Sequence, residues 1–339
     1  MPVAVKVTPK SIYVTRMIPQ AGLDILIKTF GQVDVNPKDE VLAREELLTA
    51  VKGRDGVLCL LTDTIDAEVL DAAKGCKVFA NFAVGYDNID VPEATRRGII
   101  VTNTPGVLTD ATADLTWALL LSVARRIPEG DRFTRSGNFK GWGPLLLLGL
   151  DVAGKTLGIV GAGRIGTAVA LRSSGFRMKV LYTDFDKNDG LERKLAAKRV
   201  PFEQLLRESD FISLHVPLSQ ETHHMIGQEQ LRMMKPGAFL INTSRGPVVD
   251  EEALVRALKE KRIAGVALDV YENEPRLSPG LAELENVVLA PHLGSATVQT
   301  RTKMAVMAAE NLIAAVTGKT PANIVNPEAM KRATRKTAS

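Results

Sequence analysis

The stretch Lys155–Gly166, Lys-Thr-Leu-Gly-Ile-Val-Gly-Ala-Gly-Arg-Ile-Gly, restricts what this chain can fold into more than any other. The apolar run Leu157–Val160 reads as a buried strand. It leads into Gly161, Gly163 and Gly166, the spacing G-x-G-x-x-G, and a helical segment continues through Ser174. Gly161 permits the tight turn out of the strand. Gly163 removes a side chain that would keep a pyrophosphate off the backbone. Gly166 lets the helix approach the sheet, and N–H groups at the helix N-terminus then face the phosphates. By itself the motif is weak, and an ordinary glycine turn is the plain alternative. A second strand, Lys179–Tyr182, strengthens it by ending at Asp184, 18 residues past Gly166. An acidic residue about 20 residues on is the expected ribose partner. The chain is therefore expected to bind a dinucleotide.

At 339 residues the chain can hold two domains with full cores. A net charge of +4, partly from Lys331, Arg332, Arg335 and Lys336, is too small and dispersed to argue for nucleic acid. The two cysteines, Cys59 and Cys76, lie in or beside apolar segments with no C-x-x-C or Cys/His metal spacing. Reduced, buried thiols and no metal site are expected, as in a cytoplasmic protein. The apolar stretches Leu145–Leu150 and Leu115–Ala124 are too short to span a bilayer. Met1–Lys10 lacks an apolar core, so no secretory signal is expected and no membrane partner.

The first hundred residues alternate strands (Ile12–Thr15, Val33–Val35, Val57–Leu60, Val78–Ala80, Ile99–Thr102) with helices (Ala21–Lys28, Glu40–Val51, Ala67–Ala73, Pro92–Arg97). That rhythm implies parallel βαβ units. The loop Asn81–Asp90 interrupts it at a strand's C-terminal end, where open α/β sheets bind ligands. Gly85 there allows backbone N–H groups to face a ligand carboxylate, against the plainer alternative of a βα turn. Thr109 or Asp110 caps a long apolar helix to about Arg125, suited to burial between domains. Gly137–Gly149 reads as an irregular arm with an exposed leucine run, which calls for a partner surface. After Asp184, strands at Phe211–His215, Ala238–Asn242, Val266–Asp269 and Val287–Ala290 alternate with helices at Phe202–Arg207, Gln228–Met233 and Glu251–Glu260. A terminal helix, about Val298–Val316, is expected to pack back on the N-terminal domain, with a frayed tail after Asn326. The fold class is α/β, with two doubly wound parallel sheets.

Three polar residues follow strands of the second half: Arg245, Glu274 and His292. They lie on the sheet edge where the glycine motif places a cofactor. Singly each has a bland explanation: a surface cation, a solvated loop acid, a hydrogen-bonded core histidine. Together their chemistry is complementary for hydride transfer to a 2-oxo acid. Arg245 can hold a carboxylate and polarise a carbonyl through its planar fork. An imidazole titrates near neutral pH, which suits His292 to give a proton to the nascent alkoxide. A carboxylate beside it orients the ring and favours its charged form; Glu274 is the candidate, and Glu272 a rival that spacing does not exclude. His215 is a candidate for the adenine side; His223 and His224 read as surface.

The motif ending at Gly166, with Asn242-Thr-Ser-Arg-Gly246, Glu274-Pro275 and Pro291-His292-Leu-Gly-Ser295, resembles the D-isomer-specific 2-hydroxyacid dehydrogenases over almost the whole chain. The resemblance implies catalytic roles for Arg245, Glu274 and His292 and prefers Glu274 to Glu272. It implies a Rossmann cofactor domain, residues 105–291, inserted into a flavodoxin-like substrate domain, residues 1–104 and 292–339. It also implies cofactor contacts at Gly161, Gly163, Arg164, Ile165, Gly166, Asp184, Val216, Pro217 and Thr222. Further contacts fall at Thr112, Thr243, Ser244, Arg245, Asp269, His292 and Gly294. Within the family, Ala83–Asp90, Asn103–Asp110 and Gly141-Trp-x-Pro144 with Leu148-Gly149 look most like glyoxylate/hydroxypyruvate reductases. By that likeness the amides of Val84 and Gly85 hold the substrate carboxylate. Leu60 or Leu61 borders the pocket, Ser295 lies beside it, and Trp142 reaches the partner's site in a homodimer. Some members of the subgroup use NADPH, but Thr183-Asp184-Phe185-Asp186 carries no basic residue, so NADH is expected, with NADPH the alternative. Rival activities are D-lactate and phosphoglycerate dehydrogenases, although the chain stops soon after the terminal helix, without the extra regulatory domain of many phosphoglycerate enzymes. A rival of another class is an NADH-sensing corepressor, which would bind NADH without appreciable turnover.

Overall fold

A computed structural model of the chain describes residues 10–330. The basic tail from Lys331 and residues 1–9 of the Met1–Lys10 segment lie outside them. The chain divides into two compact units, Met1–Leu108 with Thr297–Ser339, and Thr109–Ala296. Both crossings fall a few residues later than 104 and 291, so His292 belongs to the second unit.

The first unit holds a parallel sheet of β1 (Ile12–Val14), β2 (Asp34–Val35), β3 (Gly56–Cys59), β4 (Val78–Asn81) and β5 (Ile100–Thr102), in the order β2-β1-β3-β4-β5. This is the flavodoxin-like order, with its switch point between β1 and β3. Strands β1, β3, β4 and β5 are buried throughout, so they read as continuous apolar runs rather than alternating ones. Helices α1 (Gln20–Phe30), α2 (Arg44–Ala50), α3 (Ala67–Ala72) and α4 (Val91–Arg97) connect them. Asp66 caps α3 through the amides of Glu68 and Val69, and Asp90 caps α4 through that of Glu93.

The second unit holds helices α5 (Thr109–Ala124) and α6 (Ile127–Arg135), then a seven-stranded parallel sheet. Its strands are β6 (Thr156–Val160), β7 (Lys179–Thr183), β8 (Lys198–Arg199), β9 (Phe211–Leu214), β10 (Phe239–Asn242), β11 (Gly265–Leu268) and β12 (Val287–Leu289). They lie in the order β12-β11-β10-β9-β6-β7-β8. The chain winds outward from β6 to β8, returns to β9 beside β6, and winds outward the other way. That reversal is the switch point of a Rossmann sheet. Between the strands run α7 (Arg164–Arg172), α8 (Asp189–Leu195), α9 (Phe202–Glu208), α10 (Gln228–Met233) and α11 (Glu251–Lys259). Within this unit α5 packs on α7, where Trp117 donates to the Val169 carbonyl at 2.9 Å and stacks on Phe176. Three elements here were not apparent from the sequence. Helix α6 buries none of its residues, α8 buries only Leu191, and β8 is an edge strand of two exposed basic residues. Helix α8 and strand β8 are too short for a period to stand out, and α6 is polar on average. Residues after α6 form the expected irregular arm.

The chain closes with α12 (Val298–Val316), capped by Thr297 and belonging to the first unit. Met304, Ala305, Ala308, Ala309, Leu312, Ala315 and Val316 make its buried stripe at helical spacing. It packs on α1 and on β3, β4 and β5. A Cβ on Gly22 would stand 2.8 Å from the Ala305 carbonyl, so only glycine permits this approach. The residues following Asn326 are not frayed as far as Met330. Asn326, 2% exposed, accepts from the Val101 amide and donates to the Ile99 carbonyl, and Ala329 is fully buried. No helix among the described residues is long and apolar enough to cross a membrane.

Candidate active site

The glycine turn lies at the switch point. Gly161 has φ +90°, and a Cβ there would stand 2.8 Å from the His215 carbonyl group. A Cβ on Gly166 would overlap the Gly161 carbonyl oxygen at 2.0 Å, so α7 sits directly on the turn. A Cβ on Gly163 would meet nothing within 4 Å. Gly161 and Gly166 are thus required by the protein's own packing. Gly163 faces open space, which fits a pyrophosphate approaching the amides of Arg164 and Ile165 in the first turn of α7. Thr167 and Asn188 brace the turn by donating to the Ala162 carbonyl, each at 2.9 Å.

Asp184 follows β7, and its carboxylate accepts from the Ala162 amide at 2.6 Å. Arg199, from β8, donates to the backbone carbonyls of Asp184 (2.8 Å) and Phe185 (2.6 Å). A cation therefore stands beside the Asp184 turn, 15 residues on in sequence. Lys187, the nearest basic residue in sequence, pairs instead with Asp189 and Glu192.

On the other side of the switch point the candidate residues follow successive strands. After β9 come Val216 and Pro217; the Thr222 hydroxyl donates to the Pro217 carbonyl at 2.6 Å and fixes that turn. His215 pairs through Nε2 with Ser213, and burial pushes its imidazole down to about 3, which keeps it neutral. After β10, Thr243 bonds Thr116 of α5 at 2.9 Å, and Asn242 ties down both Ser244 and the Arg245 carbonyl. Arg245 is half-buried. Gly246 lies so close to the Tyr271 carbonyl that any Cβ would overlap it, which joins the loops after β10 and β11.

After β11, Asp269 is 1% exposed. Its two carboxylate oxygens accept from the amides of Leu293 (2.6 Å) and Gly294 (2.8 Å), and its carbonyl accepts from His292 N at 2.9 Å. Burial pushes this carboxyl above the usual range, against the pull of the His292 charge and the two amides. The clamp holds His292 in the left-handed region, φ +54°. Such a conformation costs a non-glycine residue about 1–3 kcal/mol, which three hydrogen bonds can offset. Thr112 of α5 donates to the Gly294 carbonyl at 3.0 Å, and Ser295 is half-buried next in the chain.

His292 Nδ1 lies 2.8 Å from Glu274 Oε1. With Nδ1 turned to the carboxylate, Nε2 points to the opposite side of the ring. Glu272 is engaged elsewhere, with His224 Nε2 at 2.6 Å and the Glu251 amide at 3.1 Å. The geometry thus separates two acids that spacing left equivalent. It also gives His224 a specific partner in place of the plain surface position expected for it.

In the first unit, the loop after β4 carries Val84 and Gly85, both half-buried. Three successive carbonyls there are held. Ala83 accepts from the Thr104 amide (2.8 Å), Val84 from Asn103 Nδ2 (2.7 Å) and Gly85 from Asn81 Nδ2 (2.9 Å). Among the described residues neither the N–H of Val84 nor that of Gly85 donates a backbone hydrogen bond. Asn88 links this loop to the one after β3. It donates to the carbonyls of Leu60 (3.1 Å) and Asp63 (3.0 Å) and accepts from Asn81. Leu60 and Leu61 are half-buried; in the arm of the second unit, Trp142 is 85% exposed. Sequence reasoning missed Arg199, Asn103, Asn81 and Asn88. Asn81 ends β4 and Asn103 follows β5, and that position was the available signal; Asn88 lies in the loop before α4.

The fold and these loops define a dinucleotide-binding oxidoreductase of the doubly wound α/β class. Residues 117–294 match the family model described as D-isomer specific 2-hydroxyacid dehydrogenase, NAD binding domain. A glyoxylate reductase of Korarchaeum cryptofilum is 54% identical over 94% of this chain and 97% of its own. The crystal structure of a glyoxylate reductase from Paecilomyes thermophila superposes with a TM-score of 0.84 at 34% identity, covering 95% of this chain and 99% of that one. An NADPH-dependent glyoxylate/hydroxypyruvate reductase from Sinorhizobium meliloti, in complex with NADP and malonate, gives a TM-score of 0.83 at 32% identity, covering 95% and 98%. The chain belongs to the D-isomer-specific 2-hydroxyacid dehydrogenase family.

Proposed function

We propose that this enzyme reduces glyoxylate, and hydroxypyruvate with it, to the corresponding 2-hydroxy acid, with NADH preferred. The observation that carries the proposal is the 2.8 Å His292–Glu274 pair on a loop clamped by Asp269. The nicotinamide cofactor supplies the hydride when bound. Arg245 takes the substrate carboxylate and polarises the carbonyl through its fork. His292 gives a proton from Nε2 to the nascent alkoxide, and Glu274 orients the ring and favours its charged form. The amides of Val84 and Gly85, adjacent donors on a fixed loop, are the proposed seat of the carboxylate in the first unit. The curated relative named above is a glyoxylate reductase and the solved ones are glyoxylate or glyoxylate/hydroxypyruvate reductases, which supports a small 2-oxo acid. Free, buried Cys59 and Cys76 accord with a reducing, cytoplasmic setting. The direct test is steady-state reduction of glyoxylate, hydroxypyruvate, pyruvate and phosphohydroxypyruvate; highest kcat/KM on either of the last two would overturn the assignment.

The cofactor is open to the same assay. The Asp184 carboxylate can accept from a ribose 2′-OH and repels a 2′-phosphate. We expect kcat/KM with NADH to exceed that with NADPH by at least ~10-fold. Arg199 beside Asp184 and the NADPH-dependent relative pull the other way. Equal values, or a preference for NADPH, would reject the role given to Asp184.

We further propose a homodimer joined through the arm of residues 137–150, with Trp142 serving the partner's site. Trp142, Leu145 and Leu148 are 85%, 80% and 62% exposed, a run of apolar surface that a second copy would cover. Sedimentation at micromolar concentration should show twice the chain mass of 36.6 kDa. A fully active monomer would exclude the dimer.

A further inference from the structure

The two amides offered to the substrate raise a question of their own: what turns them outward. A peptide unit is planar, with its N–H and C=O pointing in opposite directions. Anchoring the carbonyl of one residue therefore aims the N–H of the next. The Val84 N–H is aimed by the Ala83 carbonyl, which the Thr104 backbone amide holds. The Gly85 N–H is aimed by the Val84 carbonyl, and that carbonyl is held by a side chain, Asn103 Nδ2, at 2.7 Å. Gly85 has no Cβ to resist rotation of this unit, so without the anchor the Val84–Gly85 peptide can turn over and present an oxygen where a donor is needed.

Asn103 is itself fixed from the far end of the chain. Its carbonyl accepts from Asn311 Nδ2 at 3.1 Å, and its amide donates to the Asn323 carbonyl at 3.2 Å. Asn311, 2% exposed in α12, also exchanges bonds with Asn323 through Nδ2 (3.3 Å) and Oδ1 (3.2 Å). A buried asparagine on an apolar helix stripe is costly unless satisfied. Here one of its bonds runs directly to Asn103 and the other two hold Asn323, whose carbonyl accepts from the Asn103 amide.

We propose that Asn103 is a positioning residue for substrate recognition: by holding the Val84 carbonyl it keeps the Gly85 N–H turned toward the substrate carboxylate. The inference rests on the reading of Val84 and Gly85 given above. Asn103→Ala removes the anchor. Asn103→Asp keeps the shape but, when ionised, sets an acceptor against the Val84 carbonyl. Protonation at acid pH returns an O–H donor to the same place.

The measurements are KM and kcat for glyoxylate, the inhibition constant of oxalate as a carboxylate probe, and NADH affinity by fluorescence. Loss of one hydrogen bond to a charged group corresponds to about a 10-fold change or more. Both variants should raise KM and the oxalate constant by at least ~10-fold, with kcat and NADH affinity nearly unchanged. In Asn103→Asp the defect should shrink as pH falls, relative to wild type at each pH. A merely structural defect would not recover in acid. Should Asn103→Ala fail to fold, the near-isosteric Asn103→Asp decides alone. Wild-type KM and oxalate constants in the variants would overturn the proposal, as would an Asn103→Asp defect independent of pH. Failure of wild type to reduce glyoxylate, or of oxalate to compete with it, would instead reject the underlying reading.

Discussion

His292→Ala should lower kcat/KM about 10²–10⁴-fold for both reduction and oxidation, the span expected for loss of a positioned general acid. Glu274→Gln should behave differently. Reduction needs a charged imidazole before hydride transfer, because the alkoxide must be neutralised in a site that excludes water. The Glu274 carboxylate lies 2.8 Å from Nδ1, and a carboxylate at hydrogen-bond distance stabilises a charged partner. Glutamine keeps the shape and removes the charge. The charged form then persists only at lower pH, so reduction should fail at neutral and alkaline pH and recover partly in acid. Oxidation needs the neutral ring, so its usable range should extend to lower pH. Both profiles move the same way, whereas His292→Ala depresses both without moving them. The check is a pair of pH profiles of kcat/KM, one for each direction, in wild type and Glu274→Gln. Profiles that stay in place, or shift upward, would leave Glu274 an orienting role only.

Arg245→Lys should reduce kcat/KM for the oxo acid by about 10²-fold, the scale of losing one pre-aimed donor at a developing oxyanion. Lysine retains the charge but not the planar fork that serves carboxylate and carbonyl together. NADH affinity should change by no more than a few-fold, since the glycine turn and Asp184 are untouched. The loss should appear in kcat as well as KM, because polarising the carbonyl matters most in the transition state. Wild-type turnover in this variant would rule out the clamp.

The elements that carry the site were legible in the sequence because parallel strands buried on both faces leave apolar runs, and polar residues that follow such runs must lie at the sheet's carboxyl edge. Arg245, Glu274 and His292 were placed at that edge this way, with the choice of Glu274 over Glu272 coming from the family resemblance. What escaped has a common cause. The bond from Asn103 to Val84 spans 19 residues and links two neighbouring strand ends. Arg199 reaches the Asp184 loop from a two-residue edge strand with no periodicity at all. Linear spacing carries no information about lateral neighbours in a sheet. Helix α6 escaped for a simpler reason: its apolar residues, Ile127 and Phe133 among them, are outnumbered by charged ones.

The clamp that Asp269 places on the loop of His292 grips that loop only by its main-chain N–H groups, with no bond to the His292 side chain. Location and chemistry at this position are therefore specified by different residues, 269 for where the side chain stands and 292 for what it does. Changes at the two should be heritable apart: a new side chain at 292 would arrive at an address already built, while loss of Asp269 would leave an intact imidazole with nowhere fixed to stand. That separation lets the side chain at 292 vary without the loop being rebuilt.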